Sequence, residues 1–347
     1  MLERNLFQTN KINWILDKLE KILSSTIPVQ EGLKYLFMDG ESEGWMDGKT
    51  LVNDSQSAVG RTVGPLYEVQ GGDVGYILYN DQPPQQQKLF GDATRSCGHT
   101  KGVVVFDKQQ GFWLVHSMPH FPPPKSQGQF SYPASGISNG QNFICVTYPF
   151  ERFQTIGEQL KINQPHIYDC SIPASLAAAV PAMAQLCKHT LGRWDNTSSS
   201  PSNRSIPLLS LAGTEFISFA KGASFANDLY HSWVAPTLQS DLLVQFWRRS
   251  TGILHSDCSP SRSITFKATE DHSKWAVSVG GGSAGSGTSG SWVCVGDINR
   301  DEAEEKRGGG TVCRQDAAVW KAYRSAALQC ETCSGEVQTC DKSARYR

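Results

Sequence analysis

The sequence predicts an α/β fold assembled from a duplicated unit. Three observations lead there: short apolar runs of period two punctuated by Gly and Pro, longer stretches of helical periodicity, and a pattern that returns about half a chain later. A chain of 347 residues has room for two domains or one internally repeated one. Hydrophobic residues make up 39% and aromatics 10%, which supplies a core and excludes a wholly disordered chain. No run approaches the roughly 20 apolar residues of a membrane-spanning helix. The longest candidate, residues 171–183, is broken by Pro173 and Pro181.

Taken in order, residues 10–24 read as an amphipathic helix, with Ile12, Ile15, Leu16, Leu19, Ile22 and Leu23 on a 3.6-residue period. From about residue 33 the period shortens to two. Residues 76–79 form a strand, stopped by Asn80-Asp81-Gln82-Pro83-Pro84. Residues 99–107 and 112–117 are two strands joined by a turn over 108–111, a hairpin signature. Phe121-Pro122-Pro123-Pro124 leaves it as an extended segment. A strand over 143–150 and helices over 151–161 and 171–190 follow, then an exposed loop over 196–205. Residues 216–230 mix aromatic and basic side chains. Strands over 242–247, 263–267, 272–279 and 292–298 come next. Between the last two lies a flexible loop of Gly, Ser, Ala and Thr over 280–290. A helix over 317–328 closes the pattern.

The repeat carries the chemistry. His99-Thr100-Lys101 opens a strand whose hairpin partner ends in His116-Ser117. His272-Ser273-Lys274 opens another, whose partner ends in Asp297-Ile298-Asn299. Residues i and i+2 of a strand share a face, so each tripeptide aims an imidazole and an ammonium at one point. Thr100 and Ser273 face away, as does Trp275. Two such units meeting would surround a phosphodiester. The lysines neutralise non-bridging oxygens in the transition state. One imidazole attacks phosphorus, and the other, protonated, supplies the leaving oxygen. Lysines in that electrostatic role leave no step that needs a metal or cofactor. A single tripeptide of this kind is common by chance. The shared strand–turn–strand context is what separates these two from unrelated surface residues.

Charge and cysteine content place the chemistry. Basic and acidic residues are balanced, 32 against 33, where phosphate binding usually goes with a basic surplus. Protonating the 8 histidines would make the chain strongly cationic, so a polyanion partner suits an acidic compartment. Ten cysteines and three sequons, at Asn53, Asn196 and Asn203, favour a disulfide-bonded glycoprotein of the secretory route. The first 25 residues carry Glu3, Arg4, Lys11, Asp17, Lys18, Glu20 and Lys21 and show no signal peptide. Either the protein is not secreted or its N-terminus is altered or misassigned.

At these residues the sequence resembles the deoxyribonuclease II family of acid endonucleases. The matching blocks are Tyr-Asn-Asp-Gln-Pro-Pro at 79–84, Gly-His-Thr-Lys-Gly-Val at 98–103, and Phe-Trp-Leu-Val-His-Ser at 112–117, with the Phe-Pro-Pro-Pro of 121–124. Ser-Phe-Ala-Lys at 218–221, Asp-Leu-Tyr at 228–230, Gln-Phe-Trp at 245–247 and Asp-His-Ser-Lys-Trp at 271–275 follow. Val-Gly-Asp-Ile-Asn-Arg at 295–300 and Arg-Gly-Gly-Gly-Thr at 307–311 complete the series. The resemblance covers residues 33–333.

It implies a phospholipase-D-like pseudodimer of two α/β halves with mixed sheets flanked by helices. It divides the chain into a divergent segment 1–32, a half 33–165 with the first pair, and a half 166–347 with the second. It implies metal-independent hydrolysis of double-stranded DNA, with little sequence preference, to 3′-phosphate and 5′-hydroxyl ends through a phosphohistidine, in a lysosomal or secreted protein. His99 and Lys101 carry over as one catalytic pair and His272 and Lys274 as the other, with His99 favoured as nucleophile and His272 as general acid. Asn299, Asp297, His116 and Ser117 are the candidate phosphate contacts. Asp107 is one residue out of the superfamily spacing and receives no role.

Cys294 with Cys313, and Cys258 with Cys333, match family disulfides. The family's N-terminal cysteine is absent, which leaves Cys145 without its mate. The family's first strand survives only as an echo at Ile12-Asn13-Trp14. A homodimer is compatible with all of this.

Other readings stay open. A secreted member with weakened catalysis would be a nucleic-acid-binding protein, and a phospholipase-D-type enzyme would act on lipid head groups. Cys330, Cys333 and Cys340 have zinc-like spacing but lack a fourth ligand, so disulfides are favoured. Arg307-Gly308-Gly309-Gly310 is either an anion-binding nest or a tight turn with positive φ. Trp113, Trp275 and Trp292 read as core, and His120, His166, His189, His231 and His255 as structural or surface residues.

Overall fold

The computed structural model describes residues 14–17, 31–40, 42, 44–69, 72–84, 97–188, 194, 201–247, 251–254, 264–265, 271–280, 290–327, 329–331 and 337–339. Eight strands form the first sheet: β1 (Trp14–Asp17), β2 (Leu36–Asp39), β3 (Met46–Asp47), β4 (Gly75–Asn80), β5 (Lys101–Phe106), β6 (Gln110–His116), β7 (Asn142–Pro149) and β8 (Ile167–Ser171). Their order is β3-β2-β1-β7-β6-β5-β4-β8. Nine more form the second: β9 (Asn203–Leu209), β10 (Glu215–Lys221), β11 (Leu242–Gln245), β12 (Ile264–Thr265), β13 (Trp275–Ser278), β14 (Trp292–Gly296), β15 (Gly309–Gln315), β16 (Gln329–Glu331) and β17 (Val337–Thr339). Their order is β17-β16-β12-β11-β13-β14-β15-β10-β9. The helices are α1 (Ala58–Val63), α2 (Pro65–Glu68), α3 (Arg152–Asn163), α4 (Ala174–Ala177), α5 (Pro181–Lys188), α6 (Ala235–Leu238), α7 (Glu302–Glu305) and α8 (Ala317–Ala326).

The expected α/β class is observed, with sheets that are antiparallel rather than evenly mixed. Among the described strands, only β11 and β12 pair in parallel. Two series of neighbours match. β1-β7-β6-β5-β4 in the first sheet and β10-β15-β14-β13-β11 in the second are antiparallel throughout, and β5 and β13, each entered from a His-x-Lys tripeptide, hold the same place.

Alternation builds the core. Val104 and Phe106 point from β5 into a cluster shared with Trp275, Val277, Val293 and Val295 of the second sheet and with α3 and α8. Val103 and Val105 point the other way, against Val59, Val63 and Leu66 of α1 and α2. The far face of the second sheet packs Val244 and Ala276 against Val234 and Leu238 around α6. β4, β5 and β13 are therefore buried along their whole length. A charged side chain at their ends must find its partner inside the protein.

Several expectations need correction. Residues 14–17, read as part of a helix, are a strand between β2 and β7. The helical spacing of Ile15 and Leu16 is overridden by pairing on both sides. The 171–190 helix is β8 followed by two helices, with Pro181 starting the second. The loop over 196–205 yields to β9 at Asn203. Gly309 and Gly310 lie in β15, and Gly308 has no positive φ, so the glycine run is neither a nest nor a tight turn. It permits close approach: a Cβ on Gly308 or Gly98 would overlap the Asn163 carbonyl.

Cys294 and Cys313 are bonded across β14 and β15. A second disulfide, Cys170–Cys187, ties β8 to α5 and was not foreseen. Cys145 is a buried free thiol. The calls on Cys258, Cys333, Cys340, Asn196, His189, His255, the rest of the 10–24 segment and most of the 280–290 loop lie outside the described residues. No helix in the described residues is long and apolar enough to cross a membrane.

Candidate active site

The two tripeptides reach one place from opposite sheets, and each backbone is held by the other half. The Lys101 amide donates to Asp297 Oδ2 (3.1 Å), and the Thr100 hydroxyl donates to the same oxygen. Reciprocally, the Lys274 amide donates to Asn142 Oδ1 (2.7 Å), and Asn142 Nδ2 donates to the carbonyls of Lys274 (3.2 Å) and Gly296 (3.3 Å). His99 N–H donates to the Gly308 carbonyl (2.8 Å) and His272 N–H to the Gly140 carbonyl (3.0 Å). Each pair is thus positioned by backbone bonds that cross between the sheets.

The side chains of the first pair sit among carboxylates. His99 is buried, and its Nδ1 lies 2.6 Å from Glu304 Oε1. Lys101 Nζ pairs with Asp81, which is also 3.2 Å from Arg307 Nη2 and 3.9 Å from His99 Nε2. Arg307 Nη1 closes the ring on Glu304 at 3.1 Å. Glu304 belongs to the one-turn helix α7, capped at its start by the Asp301 carboxylate. At the other end buried Lys221 donates to the carbonyls of Glu304 (2.9 Å), Glu305 (3.0 Å) and Arg307 (2.6 Å), groups a helix C-terminus leaves unpaired.

The second pair has no such company. His272 is half-buried, and its Nδ1 lies 3.0 Å from the Ser117 carbonyl, which can only accept. That contact favours a proton on Nδ1, and the Lys274 ammonium lies 3.0 Å from Nδ1 and 3.4 Å from Nε2. Lys274 Nζ donates to the His272 carbonyl (2.6 Å). Asp271, just before the pair, spends Oδ1 on the Ser273 amide (2.8 Å).

Electrostatics follow this asymmetry. Burial lowers the His99 pKa, Glu304 pulls it back up, and Lys101 lowers it again. Burial holds His272 well below the usual imidazole range, and Lys274, Lys101 and His99 push the same way. Lys274 falls well below its ordinary value through burial and the Lys101 charge. The charges of the first pair thus bear on both groups of the second. Burial opposes the charge on Asp81, but Lys101, His99 and Arg307 outweigh it and keep the carboxyl ionised. Burial raises Asp297 to about 6.

The remaining sequence-derived residues divide. Ser117 donates to Gln141 Oε1 (2.6 Å) and accepts from the Asn142 amide (3.0 Å). His116, at the end of β6, packs against Phe121 and Phe143 within the field of Lys101. Its Nδ1 accepts from the Met118 amide (3.1 Å), so its proton is on Nε2, a buried donor without a partner. Asn299 Oδ1 accepts from the Trp247 amide (3.3 Å). Asp297 is buried and committed to Thr100 and Lys101. Sequence reasoning missed Asp81, Glu304, Lys221 and Asn142, and gave Arg307 no ion-pair role. Among the described residues no cluster of three or more His, Cys, Asp or Glu is disposed to hold a metal ion.

Residues 10–333 match the family model described as Deoxyribonuclease II. The chain is 43% identical over 319 residues to deoxyribonuclease-2-alpha of Rattus norvegicus, covering 87% of this chain and 86% of that protein. It is 35% identical over 338 residues to plancitoxin-1 of Acanthaster planci (93% and 90% covered) and 34% identical over 319 residues to deoxyribonuclease-2-beta of Homo sapiens (88% and 84% covered).

Proposed function

The chain belongs to the deoxyribonuclease II family and is a DNA-hydrolysing enzyme of that type, and we propose that it cuts phosphodiesters at acidic pH by a metal-independent, two-histidine mechanism. What supports this reading is that the two His-x-Lys segments are tied to each other's sheets, the Lys101 amide to Asp297 and the Lys274 amide to Asn142.

In the first step His99 Nε2 attacks phosphorus while the bond to the leaving 5′-oxygen breaks. That oxygen takes the proton from His272 Nε2. Glu304, on His99 Nδ1, stabilises the positive charge the ring acquires as a phosphohistidine. In the second step neutral His272 removes a proton from water, the water oxygen bonds to phosphorus, and the phosphorus–nitrogen bond breaks. The products are a 3′-phosphate and a 5′-hydroxyl. Lys101 and Lys274 neutralise the non-bridging oxygens throughout. A ligand set of two ammonium groups and a neutral donor, His116 Nε2, suits an anion and supplies what a cation would otherwise supply.

The depressed pKa of His272 accounts for an acid optimum. A general acid must be protonated, so turnover falls as pH rises through that lowered value. The same contacts suggest that Asp297 and Ser117 position the pairs rather than touch phosphate. Asn299 and His116 remain the phosphate contacts. The matched strand series supports a phospholipase-D-like pseudodimer. The first half then runs on through β8, because that strand pairs with β4. The proposed contacts go to phosphate rather than to base edges, which fits DNA with little sequence preference. An acid optimum suits a lysosomal or secreted setting.

The test is plasmid nicking at about pH 5 in EDTA. The wild-type chain should nick, and His99→Ala and His272→Ala should not. A chain that shifts DNA in a gel without cutting it would instead be a binding protein.

A further inference from the structure

The turn that carries Glu304 is too short to hold itself. α7 has four residues, and a helix of one turn has little stability of its own. Yet the segment from Glu304 to Gly308 grips His99 twice. Glu304 Oε1 meets His99 Nδ1 at 2.6 Å, and the Gly308 carbonyl accepts the His99 N–H (2.8 Å). Between them Arg307 reaches Asp81 at 3.2 Å, the partner of Lys101. Asp301 fixes the front of the segment through the amides of Ala303 and Glu304 (3.1 Å each). Lys221 fixes the rest. Its ammonium has three protons and meets three acceptors, the carbonyls of Glu304, Glu305 and Arg307.

Lys221 ends β10, opposite Gly309, and is buried together with its charge. Burial lowers its pKa to about 8, while Glu304, Asp228 and Glu305 pull it up and Arg307 pushes it down. An ammonium in such a place costs stability that a methionine of similar length would not. What it secures is the main chain beneath both contacts to His99. We propose that Lys221 is a positioning residue: by clamping three carbonyls it sets Glu304 against the His99 ring and the Gly308 carbonyl against the His99 amide. This inference rests on the nuclease reading, and within it on Glu304 acting on His99. All three donors of Lys221 are used on main chain, so it works through the segment and not on phosphate.

The experiment measures kcat, KM and the pH profile of DNA cleavage in EDTA. Lys221→Met should lower kcat about 30-fold with little change in KM, because the phosphate contacts stay and His99 is misplaced. Adding Lys221→Met to Glu304→Gln should cost no more than about threefold further, since the group being positioned is already disabled. The pH profile supplies a sign. His99 is faced by Glu304, Lys101 and Asp81, and its charge is felt by His272. Removing a nearby cation would by itself raise the His99 pKa and move the low-pH limb up. Losing the Glu304 contact lowers that pKa, so Lys221→Met should move the limb to lower pH. Lys221→Arg keeps a cation with several donors and should retain more of the rate. Circular dichroism at the assay temperature checks that each variant is folded. Four results would each overturn the positioning role and leave the nuclease reading standing: equal losses in the two backgrounds, a limb that stays or moves up, a Lys221→Arg rate no better than that of Lys221→Met, or failure of both variants to fold. Should the wild-type chain leave DNA uncut at about pH 5, both readings fall.

Discussion

The first His-x-Lys station is wrapped in carboxylates and the second has almost none. His99 leans on Glu304, and Lys101 on Asp81, with Arg307 bridging the two acids. His272 leans on a peptide carbonyl, and Lys274 on another. A carboxylate stabilises positive charge on the ring it touches far better than a carbonyl dipole does. Two tripeptides of one His-x-Lys pattern, His-Thr-Lys and His-Ser-Lys, are thereby set in different surroundings. The ring beside Glu304 can become cationic when it bonds to phosphorus. The ring beside Ser117 holds its proton weakly and releases it easily. The two pairs differ through the neighbours of their histidines rather than through the histidines themselves.

The largest expected effect tests that division. Both His99→Ala and His272→Ala should lose on the order of 10³-fold or more on DNA. A substrate with a p-nitrophenolate leaving group separates them, because that group departs without a proton. His272→Ala should recover a burst of p-nitrophenolate, and His99→Ala should release none. The opposite pattern would exchange the two roles.

The carboxylates come next. Glu304→Gln should lower kcat about 10²-fold with little change in KM, since Glu304 acts on a charge that appears only during reaction. Because Glu304 raises the His99 pKa, the variant's low-pH limb should also extend to lower pH. An unchanged limb would make Glu304 a packing residue. Asp81→Asn should have a smaller effect. Asp81 faces Lys101, Arg307, His99, His166 and Glu304, and its charge supports protonation of both His99 and His272. Without it the high-pH limb, set by protonated His272, should move to lower pH, and titrating initial rates would reveal the shift.

The contrast also explains what could be read from the chain in advance. The two His-x-Lys pairs were legible as a candidate site because strand alternation ties His to Lys two residues on, and because the pattern occurs twice. Their partners were not. Glu304 lies in an acid-rich stretch, 301–305, that looks like a solvated surface. Only the fold shows that α7 is pinned by Lys221 from β10. Asp81 sits at a Pro-rich strand end that reads as a turn. Asn142 opens β7 with no local mark, yet it holds Lys274 from 132 positions away. Residues 14–17 show the opposite failure: local helical spacing was clear, but pairing with β2 and β7 overrode it. Strands such as β5 and β6 were legible because their continuous apolar runs, Val103–Phe106 and Phe112–Val115, feed a core on both faces. Contacts between halves have no local signature.

The smallest effect concerns Asp297, where the halves cross. Burial raises its pKa to about 6, above the ordinary 3.8 of the unfolded chain. Its ionisation therefore costs the fold stability. That cost is absent well below the unfolded value, grows as pH rises, and is complete above the folded value. The buried, depressed histidines act in the other direction, since their contribution is lost as pH falls through the unfolded imidazole value. The pH dependence of the wild-type chain alone mixes the two. The difference between Asp297→Asn and wild type separates them, because the histidines are common to both. An asparagine oxygen can still accept from Thr100 and the Lys101 amide, and it carries no charge. The stability of Asp297→Asn relative to wild type should therefore be higher at pH 7 than at pH 5 by about 1 kcal/mol. Chemical denaturation at the two pH values measures it. A difference that is the same at both would mean that the Thr100 and Lys101 donors fully compensate the buried charge, and that this crossing point carries no electrostatic cost.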